Sequence, residues 1–278
     1  MKEMISYSPE FQRVLDLWHR ANDLNDAKAQ YELASCLLKS NQKNMLQKSF
    51  ALFKKLSNQG YTTVQTDAQY MLGICYENGY GIGKSYQRAI RWYEKAAGNI
   101  TNDLINNPDP EGDAFHETVE NIVDGKSNII EALDEYLFGE ITPESMENMT
   151  EAAEYGNVEA QKYLMDVYYL GAGPIEEDKE LSVYWAQRAA ENGDTKTMYE
   201  LGRKYFYGFD VEQDYQKALY WLNKAAYQGE DYAAYGMIGE YYKLQKQNKE
   251  AVKWYRKYVE LKIKWRNNRL GWKTARGI

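Results

Sequence analysis

Apolar residues recur along this 278-residue chain with helical spacing. Within residues 197–208, Thr197, Leu201 and Tyr205 lie at i, i+4 and i+8, which is one stripe of an α-helix. Residues 217–226 carry apolar side chains at i, i+3 and i+7, again on one face. The pattern therefore predicts two consecutive helices, each with one face buried against a neighbour.

These two helical segments form a unit that is repeated. Clear copies of the first segment begin at residues 68, 160 and 197, and clear copies of the second begin at 88, 181 and 217; looser copies of the unit begin at 29, 128 and 234. Gly79 and Gly208 are predicted to end first helices, because glycine adopts the left-handed conformation of a helix C-cap at little cost. Gly202 is predicted to let a neighbouring helix approach closely.

One helical hairpin cannot bury its apolar face alone, so the repeats are expected to stack. The predicted fold is an all-α, α/α solenoid (superhelix) of about six stacked helical hairpins. We expect one solenoid over residues 1–262, with an N-terminal capping helix at 9–21 and an acidic insertion at about 100–127. Residues 263–278 would form a basic C-terminal tail or capping helix. Whether the insertion is a binding element or a disordered loop stays open.

The repeated residues resemble the Sel1-like repeat family, a branch of the tetratricopeptide-repeat superfamily. The family pattern A-x-x-x-L-G-x-x-Y-x-x-G-x-G, followed after a spacer by K-A-x-x-W-Y-x-K-A-A, is matched nearly position for position by residues 68–97 and well by 160–229. Residues 29–60 and 128–156 match weakly, and 234–262 is a shortened copy. The resemblance implies a non-enzymatic adaptor or scaffold that binds a partner protein or peptide.

The charge of the chain is unevenly distributed. The net charge is −7, but residues 103–160 carry 16 Asp and Glu against one Lys, a net of −15, and residues 243–278 carry 12 Lys and Arg against two Glu, a net of +10. The basic end interleaves cations with tryptophans, which would suit nucleic acid or an anionic membrane surface. It would equally suit a closing helix whose tryptophans cover the last repeat while its charges face water.

Two further functions follow from the same charges. The basic end could pair with the acidic middle of another copy in a head-to-tail contact. The acidic region 103–160 could instead serve an immunity or inhibitor protein that blocks a basic target. Both would give salt-sensitive binding.

The sequence offers little for catalysis. The chain has two histidines, His19 and His116, so we predict no catalytic residue, no metal site and no cofactor. The glycines of residues 79–83 follow no hydrophobic strand, which excludes a nucleotide-binding fingerprint. Cys36 and Cys75 occupy equivalent positions in different repeats, too far apart for a disulfide. We therefore predict two free, mostly buried thiols in a reduced, cytoplasmic protein.

The concave surface of the first helices is the predicted binding groove. Positions −2, +2, +5 and +6 from the leucine of each repeat point away from the packed stripe. Aromatic residues and arginine at such positions are typical of binding hot spots. The candidate contacts are Tyr70, Ile74, Tyr169, Tyr199, Arg203, Phe206 and Tyr207. Packing of these side chains against adjacent loops is the alternative.

Overall fold

The computed structural model describes residues 16–21, 23–40, 42–60, 63–106, 141–172, 174–229 and 231–276, without the side chains of 102–106 and 269–276. Within these ranges the chain forms α-helices joined by turns, and no strand. The predicted all-α fold is therefore confirmed. The helices are α1 Ala27–Lys39, α2 Lys43–Leu56, α3 Thr63–Asn78, α4 Tyr86–Asn106, α5 Pro143–Glu154, α6 Val158–Leu170, α7 Lys179–Glu191, α8 Thr195–Tyr207, α9 Tyr215–Gly229, α10 Tyr232–Leu244 and α11 Asn248–Arg276.

The chain divides into two compact units. Unit 1 is built from two separate segments, residues 1–107 and 242–278, and unit 2 is the segment between them, residues 108–241. The predicted boundary between residues 262 and 263 falls inside the single helix α11. Helix α4 extends to Asn106, into the segment predicted as an insertion, and residues 107–127 lie outside the described residues.

Short polar residues begin several helices, and glycines end the first helices α3, α6 and α8. The carboxylate of Asp194 accepts the backbone N–H of Thr197 at the start of α8, and Asp178 does the same for Leu181 at α7. Such N-caps satisfy backbone donors that have no partner within the helix. Gly79 and Gly208 have φ of 82° and 74°, so the predicted left-handed caps are confirmed.

Close packing between the two helices of a repeat depends on a small residue in the first helix. A Cβ atom added to Gly202 in α8 would lie 2.6 Å from Cγ of Leu222 in α9. In unit 1, a Cβ on Gly73 would lie 2.2 Å from the ring of Tyr93. The close approach predicted at Gly202 is therefore confirmed, and α3 and α4 pack in the same way.

A buried glutamine joins consecutive repeats. The Gln161 amide in α6 donates to the carbonyl of Ala153 in α5 at 2.8 Å and accepts from the Asn192 side chain after α7 at 3.0 Å. In unit 1, Gln69 accepts from Asn99 at 2.9 Å and donates to a carbonyl of the preceding repeat at 3.2 Å. One polar side chain thus connects three helices, and its buried donor and acceptor are both satisfied.

The N-terminal part of unit 1 contains a short apolar contact and two different cysteines. In the helical residues 16–21, Leu17 and Ala21 are buried against α1; residues 9–15 of the predicted capping helix lie outside the described residues. Both cysteines are free, as predicted. Cys75 is buried, because α1 and α2 of the preceding repeat pack against it. Cys36 is exposed, so its predicted burial is wrong; it lies in the first repeat, and only residues 16–21 and 23–26 are described before α1.

Helix α11 packs against the second helix of an early repeat. Its residues Ala251, Val252, Tyr255 and Val259 form one core cluster with Ala89, Ile90, Tyr93, Ala96, Ala97 and Ile100 of α4. The predicted closing helix would have kept its charges in water. Instead Lys262 and Arg266 are only 4% and 3% exposed, so that expectation is wrong for these two cations. Contacts between residues so far apart in sequence cannot be found from local periodicity.

Candidate functional site

The seven predicted groove residues fall in different units. Tyr70 and Ile74 lie on α3 of unit 1, and the other five lie on α6 and α8 of unit 2. Each unit therefore presents its own first-helix surface. The two surfaces differ in what covers them.

Helix α11 covers the predicted residues of unit 1. The Tyr70 hydroxyl donates to Oε1 of Glu260 at 2.8 Å, and burial raises the pKa of Tyr70 above its ordinary value, with the Glu260 hydrogen bond adding to the shift. Ile74 packs against the cluster that α11 forms with α4. Neither side chain offers an open surface to a partner while α11 is in place.

Two acidic residues of α3 pair with cations of α11. Glu77 accepts the Tyr93 hydroxyl at 2.7 Å and Nη1 of Arg256 at 2.9 Å. Asp67 accepts Nη2 of Arg266 at 2.8 Å. Arg256 and Arg266 of the basic C-terminal segment thus pair with carboxylates inside unit 1. This weakens the hypothesis that the basic end binds nucleic acid or a membrane.

The predicted residues of unit 2 divide into packed and exposed groups. Phe206 is 4% exposed and its ring lies 5.4 Å from that of Tyr215, so it belongs to the packing between α8 and α9. Tyr199 is half-buried, and desolvation raises its pKa. Arg203 is exposed and forms an ion pair with Glu200 at 3.2 Å. Tyr169 and Tyr207 are exposed.

Two aromatic rings stand in solvent at the end of α8. Tyr207 and Phe209 are 52% and 57% exposed, and their ring centroids are 5.4 Å apart with an angle of 32° between the planes. The Tyr207 ring also contacts Phe206, whose ring centroid lies 5.0 Å away. The buried Phe206 therefore packs against one of the two exposed rings.

Phe209 was not among the predicted contacts, although its position is informative. It directly follows the glycine that caps α8, and its N–H bonds the Lys204 carbonyl at 3.0 Å. Tyr80 and Ala172 hold the same place after the glycine caps of α3 and α6, with the same type of backbone bond. An apolar residue at this place ordinarily packs back onto its helix. Ala172 is buried and Tyr80 packs on a core cluster, whereas Phe209 projects into solvent.

Charged residues connect Tyr169 to the loop that carries Phe209. The Lys204 ammonium lies 4.8 Å from the Tyr169 ring centroid and forms an ion pair with Asp210, and Lys179 contacts both Tyr169 and Asp210. The Lys204 hydrogen bond lowers the pKa of Asp210. Tyr169, Arg203, Tyr207 and Phe209 together are called the aromatic surface below.

Among the described residues, no cluster of His, Cys, Asp and Glu could hold a metal ion. His19, in the helical residues 16–21, pairs with Asp23, and both side chains are exposed; His116 lies outside the described residues. In the part of the chain that the structure describes, no helix is both long enough and apolar enough to cross a membrane.

A family model for the Sel1 repeat matches five segments of the chain, residues 27–61, 66–99, 158–194, 195–230 and 232–261. The chain belongs to the Sel1 repeat family. The resemblance seen in the sequence is confirmed, although the weak copy at residues 128–156 is not among the matched segments. Sel1 repeat proteins are generally non-catalytic scaffolds for protein–protein interaction.

Solved structures of other repeat proteins are similar to this chain. A protective antigen of uropathogenic Escherichia coli strains, which displays an SLR fold, is 26% identical, with a TM-score of 0.38; the match covers 89% of this chain and 56% of the antigen chain. A Sel1 repeat protein of Oxalobacter formigenes is 24% identical over 84% of this chain and 85% of its own, with a TM-score of 0.33. No curated protein matches the chain.

Proposed function

We propose that this protein is a non-enzymatic scaffold that binds a partner protein or peptide through the aromatic surface of unit 2. The observation that carries the proposal is the exposed ring pair of Tyr207 and Phe209. The Sel1 repeat family supports a role in protein interaction.

The ring pair has the physical properties of a binding hot spot. Burying a large apolar side chain contributes about 1.5–3 kcal/mol, and tyrosine and arginine are enriched among residues that dominate interface energies. Phe209 contributes little to the fold, because its ring is mostly in water. A partner that covers both rings would gain apolar contact at a site where the fold itself gains little.

The surroundings of the rings give the surface a polar rim. Arg203 projects from the same stripe of α8 as Tyr207, one turn earlier, and its ion pair with Glu200 is exposed. On the other side, the ion pairs of Asp210 hold the loop next to Phe209. An apolar centre with a charged rim is the usual anatomy of a protein–protein interface.

The test compares two matched pairs of exposed aromatic residues. A partner captured from native extract is identified, purified and titrated against the wild-type chain, a Tyr207→Ser/Phe209→Ser variant and a Tyr184→Ser/Tyr220→Ser control. Tyr184 and Tyr220 are about half exposed on α7 and α9, and each lies edge-on to the tryptophan that follows it. They match the test pair in size and exposure but lie outside the aromatic surface.

We expect the Tyr207/Phe209 variant to bind at least tenfold more weakly and the control to change affinity by less than about twofold. Circular dichroism should show the same helicity for all three proteins. An unchanged dissociation constant for the Tyr207/Phe209 variant would refute the proposed surface, and so would an equal loss in the control.

A further inference from the structure

One carboxylate beside the aromatic surface has no cation in contact with it. Asp166 lies on α6, three residues before Tyr169, and it is exposed. Residues three apart on a helix are neighbours on its surface, with Cβ atoms about 5–6 Å apart. In the part of the chain that the structure describes, Asp166 makes no ion pair and no hydrogen bond through its side chain. The aromatic surface therefore borders an accessible carboxylate without a partner.

The carboxylates near Asp166 differ from it, because they are already neutralised. Each of them lies within ion-pair distance of a lysine or an arginine of unit 2. The pairs are Lys162–Asp194 at 3.5 Å, Arg203–Glu200 at 3.2 Å and Lys179–Asp210 at 3.4 Å. A cation that approaches this side of unit 2 from solution thus finds its open acceptor at Asp166.

Two contacts between α6 and α8 fix the position of Asp166 in the surface. Lys162 pairs with Asp194, the N-cap of α8, and the Lys204 ammonium lies 4.8 Å from the centroid of the Tyr169 ring. Rising numbers on α6 meet rising numbers on α8, so the two helices run in the same direction. Asp166 lies between the two contacts, on the side of α6 that faces α8.

The surrounding protein desolvates this carboxylate although water reaches it. Burial raises the pKa of Asp166, and the charges of Lys162 and Lys196 lower it by less. Lys196 of α8 acts on Asp166 through space, without an ion pair. A carboxylate that is accessible and yet partly desolvated lies in a recess, where a contacting cation is screened less than on an open surface.

We propose that Asp166 binds a lysine or arginine side chain of the partner segment that covers the aromatic surface. The inference rests on the proposed function and names the chemistry of the partner: apolar residues with one basic residue close to them. Along α6, Asp166 lies about 4.5 Å before Tyr169. An extended chain covers that distance in one or two residues, so the basic residue is expected within about three positions of the apolar ones.

An array of immobilised synthetic peptides tests the charge preference without an identified partner. Each peptide carries a Leu-Tyr pair and one test residue, which is Lys, Gln or Glu, placed within about four positions of the pair; the other positions are Gly and Ser. The array is probed with the full-length wild-type chain, Asp166→Asn, Asp166→Lys and a Glu191→Gln control. Glu191 is an exposed carboxylate on α7, outside the aromatic surface.

We expect the wild-type chain to retain the Lys peptide about tenfold more strongly than the Gln peptide at one spacing or more. Asp166→Asn should remove this difference, and Asp166→Lys should reverse it in favour of the Glu peptide. Glu191→Gln should keep the wild-type preference. Circular dichroism should show the same helicity for all four proteins.

Equal retention of the Lys and Gln peptides by the wild-type chain, including retention of neither, would overturn the inference. A Lys preference that persists in Asp166→Asn would overturn it as well. The Tyr207→Ser/Phe209→Ser variant separates this inference from the proposed function, because it should lose all three classes of peptide. If that variant keeps a Lys preference that depends on Asp166, the aromatic surface is refuted while the capture of a cation by Asp166 is supported.

Discussion

Replacement of a buried lysine in α11 is expected to stabilise unit 1. Lys262 is 4% exposed, and burial lowers its pKa from 10.5 to about 8. The ammonium donates to the Ala97 carbonyl and the Thr101 hydroxyl and lies 5.1 Å from the centroid of the Tyr258 ring, and desolvation is the cause of the lowered pKa. Methionine has a similar length and no charge. Lys262→Met therefore removes the cost of burying an ammonium group.

The magnitude follows from the pKa. A change from 10.5 to about 8 corresponds to about 3 kcal/mol between the charged and neutral forms. Solvent screening and the two lost hydrogen bonds reduce the expected gain to about 1–2 kcal/mol. The Ala97 carbonyl keeps a partner in the variant, because the Thr101 hydroxyl also donates to it at 3.1 Å.

The gain should depend on pH in a defined direction. The pKa of Lys262 is lower in the folded chain than in the unfolded chain. The buried charge therefore destabilises the wild-type fold fully at pH 7, and this destabilisation disappears as the pH rises from about 8 to 10.5. Urea unfolding followed by circular dichroism at pH 7 and pH 9.5 measures the difference. The increase in the free energy of unfolding that Lys262→Met gives over the wild-type chain should fall by more than half at the higher pH.

Lys257→Met is the matched control, because Lys257 is exposed on the same helix. Lys257→Met should change the free energy of unfolding by less than about 0.5 kcal/mol at both pH values. A Lys262→Met chain that is less stable than wild type at pH 7, or a gain that does not change with pH, would show that the Lys262 ammonium is not buried at a cost.

Three further substitutions or reactions probe the packing. Gly202→Ala should destabilise unit 2 by about 1–3 kcal/mol through overpacking, while Gly98→Ala, which meets nothing within 4 Å, should be neutral or stabilising; equal thermal shifts would contradict this. Gln161→Leu should lower the free energy of unfolding in urea by about 1–3 kcal/mol, because it leaves buried polar groups unpaired; an unchanged stability would contradict the role of Gln161 in joining three helices. With a thiol reagent at pH 7, Cys36 should react quickly and Cys75 slowly, since burial raises the Cys75 pKa to about 12; two fast thiols would contradict the burial.

Local periodicity predicts most of the fold because most of the packing lies within one repeat or between repeats that are adjacent in sequence. The spacing of Leu201 and Tyr205, the close approach at Gly202 and the cap at Gly208 all follow from interactions within one repeat. The exposure of Cys36 shows the limit of prediction from repeat position alone. The same repeat position is buried at Cys75 because a preceding repeat packs against it, and the position alone does not reveal which neighbour is present.

The surface positions show this limit more clearly. Glu77, Tyr169 and Phe206 occupy the same place in three repeats, five residues after the repeat leucine. Glu77 is covered by Arg256 of α11, Tyr169 is exposed beneath two lysines, and Phe206 is buried by Tyr215. A helical wheel gives all three the same direction. Only tertiary contacts decide which of them a partner can reach.

Phe209 illustrates a signal that the sequence does contain. An apolar residue directly after a glycine cap is expected to pack onto its helix, and Tyr80 and Ala172 do so. The exception at Phe209 becomes visible when the three copies are compared in the structure. Packing within the repeat therefore does not explain the ring at this position.

The most direct test of partner binding places a photo-cross-linking phenylalanine analogue at residue 209. The analogue keeps an aromatic ring at this position, and the same analogue at residue 220 is the control. We predict that illumination in native extract links one partner to position 209 and not to 220, and that unlabelled wild-type chain competes it away. A partner that binds the chain but cross-links equally at both positions, or only at 220, would contradict the aromatic surface as its binding site.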